Sequence, residues 1–269
     1  MKKLRKEDIS LHHFIRNRVL GDFIETEKSI SLAYMPDVSS ESGSAVYQIN
    51  TSMNPNPFSF GRGLAYIDSY DYYTEQSGSV VVYNNVGSII DNVNYEIDYI
   101  DGRIIFANTS YNPSIVDYRW YYVSIVDEWE HIQSADVPVV VIDIASFNKE
   151  GFQLGGGKKI PRRVNLHIFS SSQSEREDLT EALYDGLYLK QCPLQGLSHG
   201  TMLDWDGRWN VNYIFSTISG SSYLNFDNIR ARNIYPRLMM IPSSDMTQLS
   251  DLNRYRSRIS FDMFHWEEA

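Results

Sequence analysis

Residues 137–189 read VPVVVIDIASFNKEGFQLGGGKKIPRRVNLHIFSSSQSEREDLTEALYDGLYL, and the change of hydrophobic period inside this stretch decides the fold class. Val137 to Ile144 is a continuous apolar run of the kind that forms a strand covered on both faces. After the loop Phe147 to Pro161, Val164, Leu166 and Ile168 alternate with Asn165 and His167, the two-residue period of a half-buried strand. The chain turns at Ser170 to Gln173, and the period then lengthens. Leu179, Ala182, Leu183 and Leu187 form a helical stripe, with Ser174 and Glu177 predicted as the capping box that opens it. Strand, loop, strand and capped helix predict an α+β fold, a mixed or antiparallel sheet with packed helices.

Outward from this segment the pattern continues. Toward the C-terminus, strands are predicted over Met202 to Trp205, Trp209 to Phe215 and Tyr223 to Tyr235. A last one ends near Trp266, where Ile259, Phe261 and Met263 alternate with Arg258, Ser260 and Asp262. Toward the N-terminus, Leu11, Phe14, Ile15, Val19 and Phe23 recur at helical spacing, with Asp8 or Ser10 as the cap. The Ser/Glu/Gly run Ser39 to Ser44 and the turn Asn54 to Pro57 predict a loop or unpaired arm.

The segment between differs in composition. From Pro36 to Glu130 there are thirteen acidic residues against three arginines, Arg62, Arg103 and Arg119, so the whole formal charge of −10 belongs to it. Twelve of the 19 tyrosines lie there too, as suits flat rings on a pleated surface. We place domain boundaries near 36 and 131. Residues 1–35 and 131–269 are expected to form the α+β oligomerisation domain, and 36–130 an inserted, all-β, sandwich-like module. Within the module, Val80 to Tyr83 and Tyr95 to Tyr99 read as strands. Asp101-Gly102 is a tight turn requiring positive φ, and Arg103 to Phe106 returns as the other arm of a hairpin. Asn112-Pro113 marks a further turn before the aromatic and β-branched run Tyr118 to Val126.

Chemistry is sparse. Cys192 is the single cysteine, which excludes an internal disulfide and a thiolate metal cage, and it is expected to be a small buried hydrophobe. The six histidines, 12, 13, 131, 167, 199 and 265, show no zinc spacing and are read as structural. Gly155-Gly156-Gly157-Lys158-Lys159 does not meet the phosphate-loop spacing, and a strand with Pro161 follows it rather than a helix. Asp204-x-Asp206-Gly207 lacks the remaining ligands of a calcium loop. No serine-nucleophile signature occurs, so no catalytic residue, cofactor or metal is expected, although paired carboxylates of a glycosidase are invisible in a sequence. The net negative charge argues against holding duplex nucleic acid. Basic and histidine residues interrupt the N-terminal apolar positions, so no signal peptide is expected, and no apolar run approaches the length of a membrane span. The densest positive patch is Lys158, Lys159, Arg162 and Arg163, suited to docking onto an acidic neighbour.

The order of elements, a first helix, Val137 to Ile144, a glycine-containing loop, Val164 to Phe169, the helix from Ser174 and the strand Arg258-Ile259-Ser260-Phe261-Asp262-Met263, resembles the tail terminator and tail-completion proteins of long-tailed bacteriophages. Ser79-Val80-Val81-Val82-Tyr83 and the hairpin Asn94 to Phe106 look similar to a β-module of phage virion proteins. The resemblance implies a virion protein assembled in the host cytoplasm as a homo-oligomeric ring, commonly a hexamer. Such a ring has tail tube or sheath on one side and head-completion or neck proteins on the other, with DNA passing through and no membrane contact. It also implies that the extended hairpin Phe147 to Pro161 makes the tail-facing contact. Gly155, Gly156, Gly157, Lys158, Lys159, Arg162 and Arg163 are the interface residues expected from it. The alternative is a tail-tip carbohydrate-binding, receptor-binding or baseplate protein, since an aromatic surplus also suits sugar stacking.

Overall fold

A computed structural model describes residues 3–50, 52–53, 55–59, 61–65, 80–98, 101–107, 109–126, 135–147, 150–151, 158–159, 161–189, 192–196, 216–217, 223–234, 255–264 and 266–267. The chain divides into two compact units. One comprises Met1–Asp22, Val123–Thr201 and Ile214–Ala269; the other comprises Phe23–Tyr122 and Met202–Tyr213.

The chain begins in the first unit with helix α1 (Lys3–Phe14), which widens into one π-helical turn, Ile15–Val19, closed by the Leu20 amide on the Ile15 carbonyl at 2.9 Å. Ile9, Leu11, Phe14, Ile15 and Val19 are buried along it. The helix therefore starts earlier than the spacing from Leu11 suggests. Asp8 and Ser10 lie inside it and cap nothing, because the apolar stripe already includes Ile9.

The second unit holds β1 (Ile24–Tyr34), α2 (Pro36–Ser42), β2 (Ala45–Ile49), β3 (Val80–Asn84), β4 (Ile89–Ile90), β5 (Tyr95–Asp98), β6 (Arg103–Phe106) and β7 (Pro113–Tyr121). Its seven strands are ordered β4-β3-β7-β1-β2-β6-β5, and every pairing is antiparallel. Tyr95, on the last strand, donates its hydroxyl to the Val80 carbonyl on β3, the second strand in the order, at 3.3 Å, so the two sides of the sheet meet. The sheet is thus one antiparallel half-barrel curled over one core, rather than two facing sheets of a sandwich. Tyr47, Val82, Ile104, Phe106, Val116, Tyr118 and Trp120 fill it. Tyr47 meets the Phe106 ring edge-on at 5.8 Å and Tyr111 stacks on it at 5.4 Å, both favoured arrangements for aromatic quadrupoles.

Three local expectations change here. Residues 36–42 are helix, not loop: Pro36 suits a first turn, Gly43 ends the helix at φ 70°, and Ser39 Oγ accepts the Val46 amide at 2.8 Å. Strand β1 belongs to the half-barrel, where it pairs with β7 and β2. The first segment of this unit accordingly runs Phe23–Tyr122, while the composition steps lie near 36 and 131. The hairpin β5–β6 pairs Asp98 with Arg103 across a four-residue loop, longer than a two-residue turn. Gly102 supplies the expected positive φ, 67°, with its amide on the Asp98 carbonyl at 2.9 Å, and the Phe58 ring occupies the space a Cβ would need.

Beyond Tyr122 the chain returns to the first unit. It forms β8 (Ser124–Val126), β9 (Val139–Phe147), β10 (Glu150–Gly151), β11 (Lys158–Lys159) and β12 (Arg162–Phe169). There follow α3 (Gln173–Leu189), β13 (Cys192–Pro193), β14 (Gln195–Gly196), β15 (Ser216–Thr217), β16 (Tyr223–Ile234), β17 (Arg256–Phe264) and β18 (Trp266–Glu267). The run Tyr118 to Val126 is therefore split between two sheets. The main sheet of this unit runs β13-β16-β17-β12-β9-β8, antiparallel except for the parallel pair β8–β9, which makes it mixed. Val139 to Ile142 are buried without alternation, as a strand covered on both faces must be. Val164, Leu166, Ile168, Ile259, Phe261 and Met263 form the apolar face.

Helix α3 packs over β12, β16 and β17 through Leu179, Leu183 and Leu187. Its cap lies two residues before the predicted one. Ser172 Oγ accepts the Glu175 amide at 3.2 Å, and Glu175 Oε2 accepts the Ser171 amide at 2.7 Å, since Ser172-Gln173-Ser174-Glu175 carries the same S-x-x-E signature. At Gly186 the helix approaches the π turn so closely that a Cβ would lie 2.5 Å from Val19 Cγ1.

Candidate interaction surface

The residues predicted to form a docking loop have separate fates. Gly155, Gly156 and Gly157 lie outside the described residues. Lys158 and Lys159 form the central strand β11 of a small sheet ordered β10-β11-β18, in register with Glu267 opposite Lys158 and Glu150 opposite Lys159. Arg162 is buried, not exposed. Its Nη1 donates to Asp8 Oδ1 and approaches Glu7 Oε2 at 3.5 Å, joining the first residue of β12 to α1. Burial raises the Asp8 carboxyl above its usual range, and the hydrogen bond from Arg162 opposes that shift. Arg163 is exposed, with Nη1 on Asp262 Oδ1 at 2.9 Å. The basic run in the sequence is thus no continuous patch: strand alternation sends adjacent arginines to opposite sides, and each meets a carboxylate.

The register of the main sheet assembles a different cationic surface on the face opposite Leu166 and Phe261. Asn165 pairs with Ser260 and His167 with Arg258 across β12–β17, and Asn165 pairs with Asp143 across β12–β9. Across β16–β17, Arg230 lies opposite Ser260, Arg232 opposite Arg258 and Ile234 opposite Arg256. One face therefore carries Arg163, Arg230, Arg232, Arg256 and Arg258 with Asp143, Asp227 and Asp262.

Hydrogen bonds tie the central part of this face together. Ser260 Oγ donates to Asn165 Oδ1 at 2.8 Å, and Asn165 Nδ2 donates to Asp143 Oδ2 at 3.4 Å. Arg256 Nη2 donates to His167 Nδ1 at 3.0 Å, which leaves the proton of the neutral ring on Nε2, 3.7 Å from Asp143 Oδ2. Arg256 also lies over the Phe169 ring at 5.0 Å, and burial lowers its pKa. His167 is lowered to about 4, first by burial and then by the Arg256 charge, against the pull of Asp143. It works as a neutral acceptor inside the face.

At the β16 margin Arg230 and Arg232 are exposed, and Arg258 beside them on β17 is half-buried. Among the described residues no carboxylate pairs with Arg230, Arg232 or Arg258, and Arg258 Nε is buried without a hydrogen-bond partner. Like charges directly opposite on neighbouring strands repel, so Arg232 facing Arg258 is a local cost that an anionic neighbour would relieve. The signal for this surface was present in the sequence as Arg230-Ala231-Arg232 and Arg256-Ser257-Arg258. Spacing of two puts both members of each pair on one face of a strand, but the pairing of the two strands is a long-range fact.

The remaining motifs take structural places or fall outside. Cys192 is buried, with Sγ 3.4 Å from the Ser10 carbonyl, and burial pushes its thiol pKa up. His12 is lowered to about 3 by burial and then by Arg16, and His13 to about 4 by burial and then by Arg18. His131, His199, His265 and Asp204-x-Asp206-Gly207 lie outside the described residues, as do the strands predicted over Met202 to Phe215. Among the described residues no group of three or more His, Cys, Asp or Glu is placed to hold a metal ion, and no helix is long and apolar enough to cross a membrane.

Comparisons with family models, with curated proteins and with solved structures found no match to the chain. What the geometry defines is an α+β unit with an arginine-bearing sheet face, and a second, half-barrel unit.

Proposed function

We propose that the chain is a virion structural protein. Copies associate into a ring at the head-to-tail junction of a bacteriophage, terminate the tail tube or sheath, and join it to a head-completion protein. The tail-terminator assignment of the α+β unit is part of this proposal, and so is the hexameric ring.

One observation carries it: charge is divided between two units of one chain. Phe23–Tyr122 with Met202–Tyr213 carries fourteen carboxylates against five cations, a net −9, while the rest carries twenty against nineteen, a net −1. An acidic unit and a near-neutral unit that bears an arginine face give one subunit two unlike surfaces, as a head-to-tail contact needs, and such contacts close into rings when their rotation closes. The charge of the half-barrel also suits a channel wall past which DNA slides, since like charge prevents phosphate-anchored binding. Native mass spectrometry of the purified protein, with negative-stain imaging, is the test. A closed ring of defined stoichiometry, six under this proposal, is expected. A monomer at every concentration, with and without tail proteins, would sink it.

A further inference from the structure

We propose that the exposed arginines of the β16–β17 face, Arg230 and Arg232, backed by half-buried Arg258, dock the acidic half-barrel of a second copy of this chain, through Glu96 and Asp98 on its edge strand β5. This inference rests on the ring proposed above and names the contact that would build it.

Four observations lead there. Arg230 and Arg232 are exposed on a strand that has β17 on one side and is paired on the other only at Tyr223 and Leu224 among the described residues, so the surface is reachable. Arg232 and Arg258 face one another across the register with no carboxylate between them, which is a poor arrangement for a surface that stays alone. The nearby acids Asp143, Asp227 and Asp262 are already engaged, the first by Asn165 and His167, the second by the Asn228 amide and the third by Arg163 and Asn228. They do not neutralise the margin. On the half-barrel, β5 is the last strand in the order and Glu96 is exposed. Glu96 and Asp98 share the side opposite the core residue Tyr95, two residues apart as Arg230 and Arg232 are. Asp98 also accepts the Asp101 amide at 3.1 Å and lies opposite Arg103, so Glu96, exposed and opposite Ile105, leads the contact.

The occupant follows from charge. A duplex would bring phosphates to a face that also holds Asp143, Asp227 and Asp262, on a chain of net −10. An acidic protein edge brings two carboxylates at strand spacing, and the chain itself supplies one. Complementary charge of this kind sets partner choice and register more than raw affinity, so the contact should be salt-sensitive.

The experiment compares wild type, R230E/R232E and E96R/D98R at low and high salt by analytical ultracentrifugation, with circular dichroism as the folding control. Wild type is expected to assemble, with association weakened at high salt. Each variant should weaken it about tenfold or more at low salt. Mixing the two variants should restore a pairwise complex, because each keeps the half the other lacks. If wild type assembles and either folded variant assembles equally well, this contact is wrong and the ring proposal stands. If wild type stays monomeric throughout, both fall. If wild type is retained by duplex DNA and R230E/R232E loses that retention, the face is a nucleic-acid surface and the inference is overturned.

Discussion

The long strands β1 and β16 lie in different units, yet they solve one problem in the same way. Each breaks register at a bulge, β1 between Glu27 and Ile30 and β16 between Asp227 and Arg230, and each places a non-glycine residue at positive φ there, Ser29 at 57° and Asn228 at 53°. An aspartate on the neighbouring strand braces the bulge in both. Asp117 accepts the Ser29 amide at 2.7 Å, and Asp262 accepts Asn228 Nδ2 at 2.8 Å. The difference lies in what else the aspartate holds. Asp117 also takes the Tyr83 hydroxyl at 3.2 Å, so its brace stays with neutral partners. Asp262 takes Arg163, so its brace spends a carboxylate on a cation at one side of the face and leaves the arginines at the other side unmatched. The lesson is that one backbone device stabilises a sheet in one unit and, in the other, also sets the charge pattern of a surface.

The largest expected effects test whether each unit depends on a different kind of interior. Trp120→Ala should cost about 3–5 kcal/mol by emptying the centre of the half-barrel core. Arg162→Ala should cost about 3–5 kcal/mol for another reason, since it removes a buried cation that both Glu7 and Asp8 pair with. Urea unfolding measures both. Arg162→Met paired with Glu7→Gln should recover much of the second loss, whereas no polar exchange should rescue the first.

Glycine substitutions come next. Gly102→Ala and Gly186→Ala should each cost about 1–3 kcal/mol by overpacking. Trimming Val19 to Ala should relieve the second, because the obstacle there is a side chain. Trimming Phe58 to Ala should relieve the first only partly, since φ at Gly102 remains left-handed. A double-mutant cycle in urea separates the two cases.

Smaller still, Ser29→Gly should stabilise the protein by about 1 kcal/mol by removing the cost of a Cβ at positive φ. Asn228→Gly should give no gain, because it forfeits the bond to Asp262. Equal gains in thermal unfolding at both sites would remove the contrast drawn between the two bulges.

The last effect is read across pH rather than at one condition. His167 has a folded-state pKa near 4 against about 6.5 unfolded, with Arg256, Arg232 and Asp143 around it. Its contribution is complete above the unfolded value and is lost as pH falls toward the folded one, because the unfolded chain binds the proton first. His167→Gln should therefore reduce the rise of stability with pH between about 4 and 6.5 by up to one proton's worth. A pH series of denaturation midpoints reads it, and an unchanged slope would show that the ring is not held neutral in the fold.

Much of the first unit was legible because its signals are local. The unbroken apolar run Val139 to Ile142, the alternation from Val164 to Ile168 and the stripe Leu179, Leu183 and Leu187 each occupy one element, and burial bears them out. The cap of α3 was misplaced because S-x-x-E occurs twice in six residues. Helix α2 was missed because a serine-rich stretch has low helical propensity, and the Pro36 and Gly43 signals at its ends were outweighed. Of the surface, the basic run at Lys158 to Arg163 was conspicuous and proved divided, while Arg230, Arg232, Arg256 and Arg258 were inconspicuous and proved to share a face.

By itself the sequence determined which segments are strand and which are helix wherever apolar period is strong, the positive φ at Gly102, and the acidic bias of the middle of the chain. These depend on neighbours a few residues away. Tertiary structure alone decided that β1 joins the half-barrel, that Arg162 is buried against Glu7 and Asp8, and that β16 lies beside β17 so that Arg232 faces Arg258. Those outcomes depend on contacts between residues tens to more than a hundred positions apart, whose pairing no local pattern encodes.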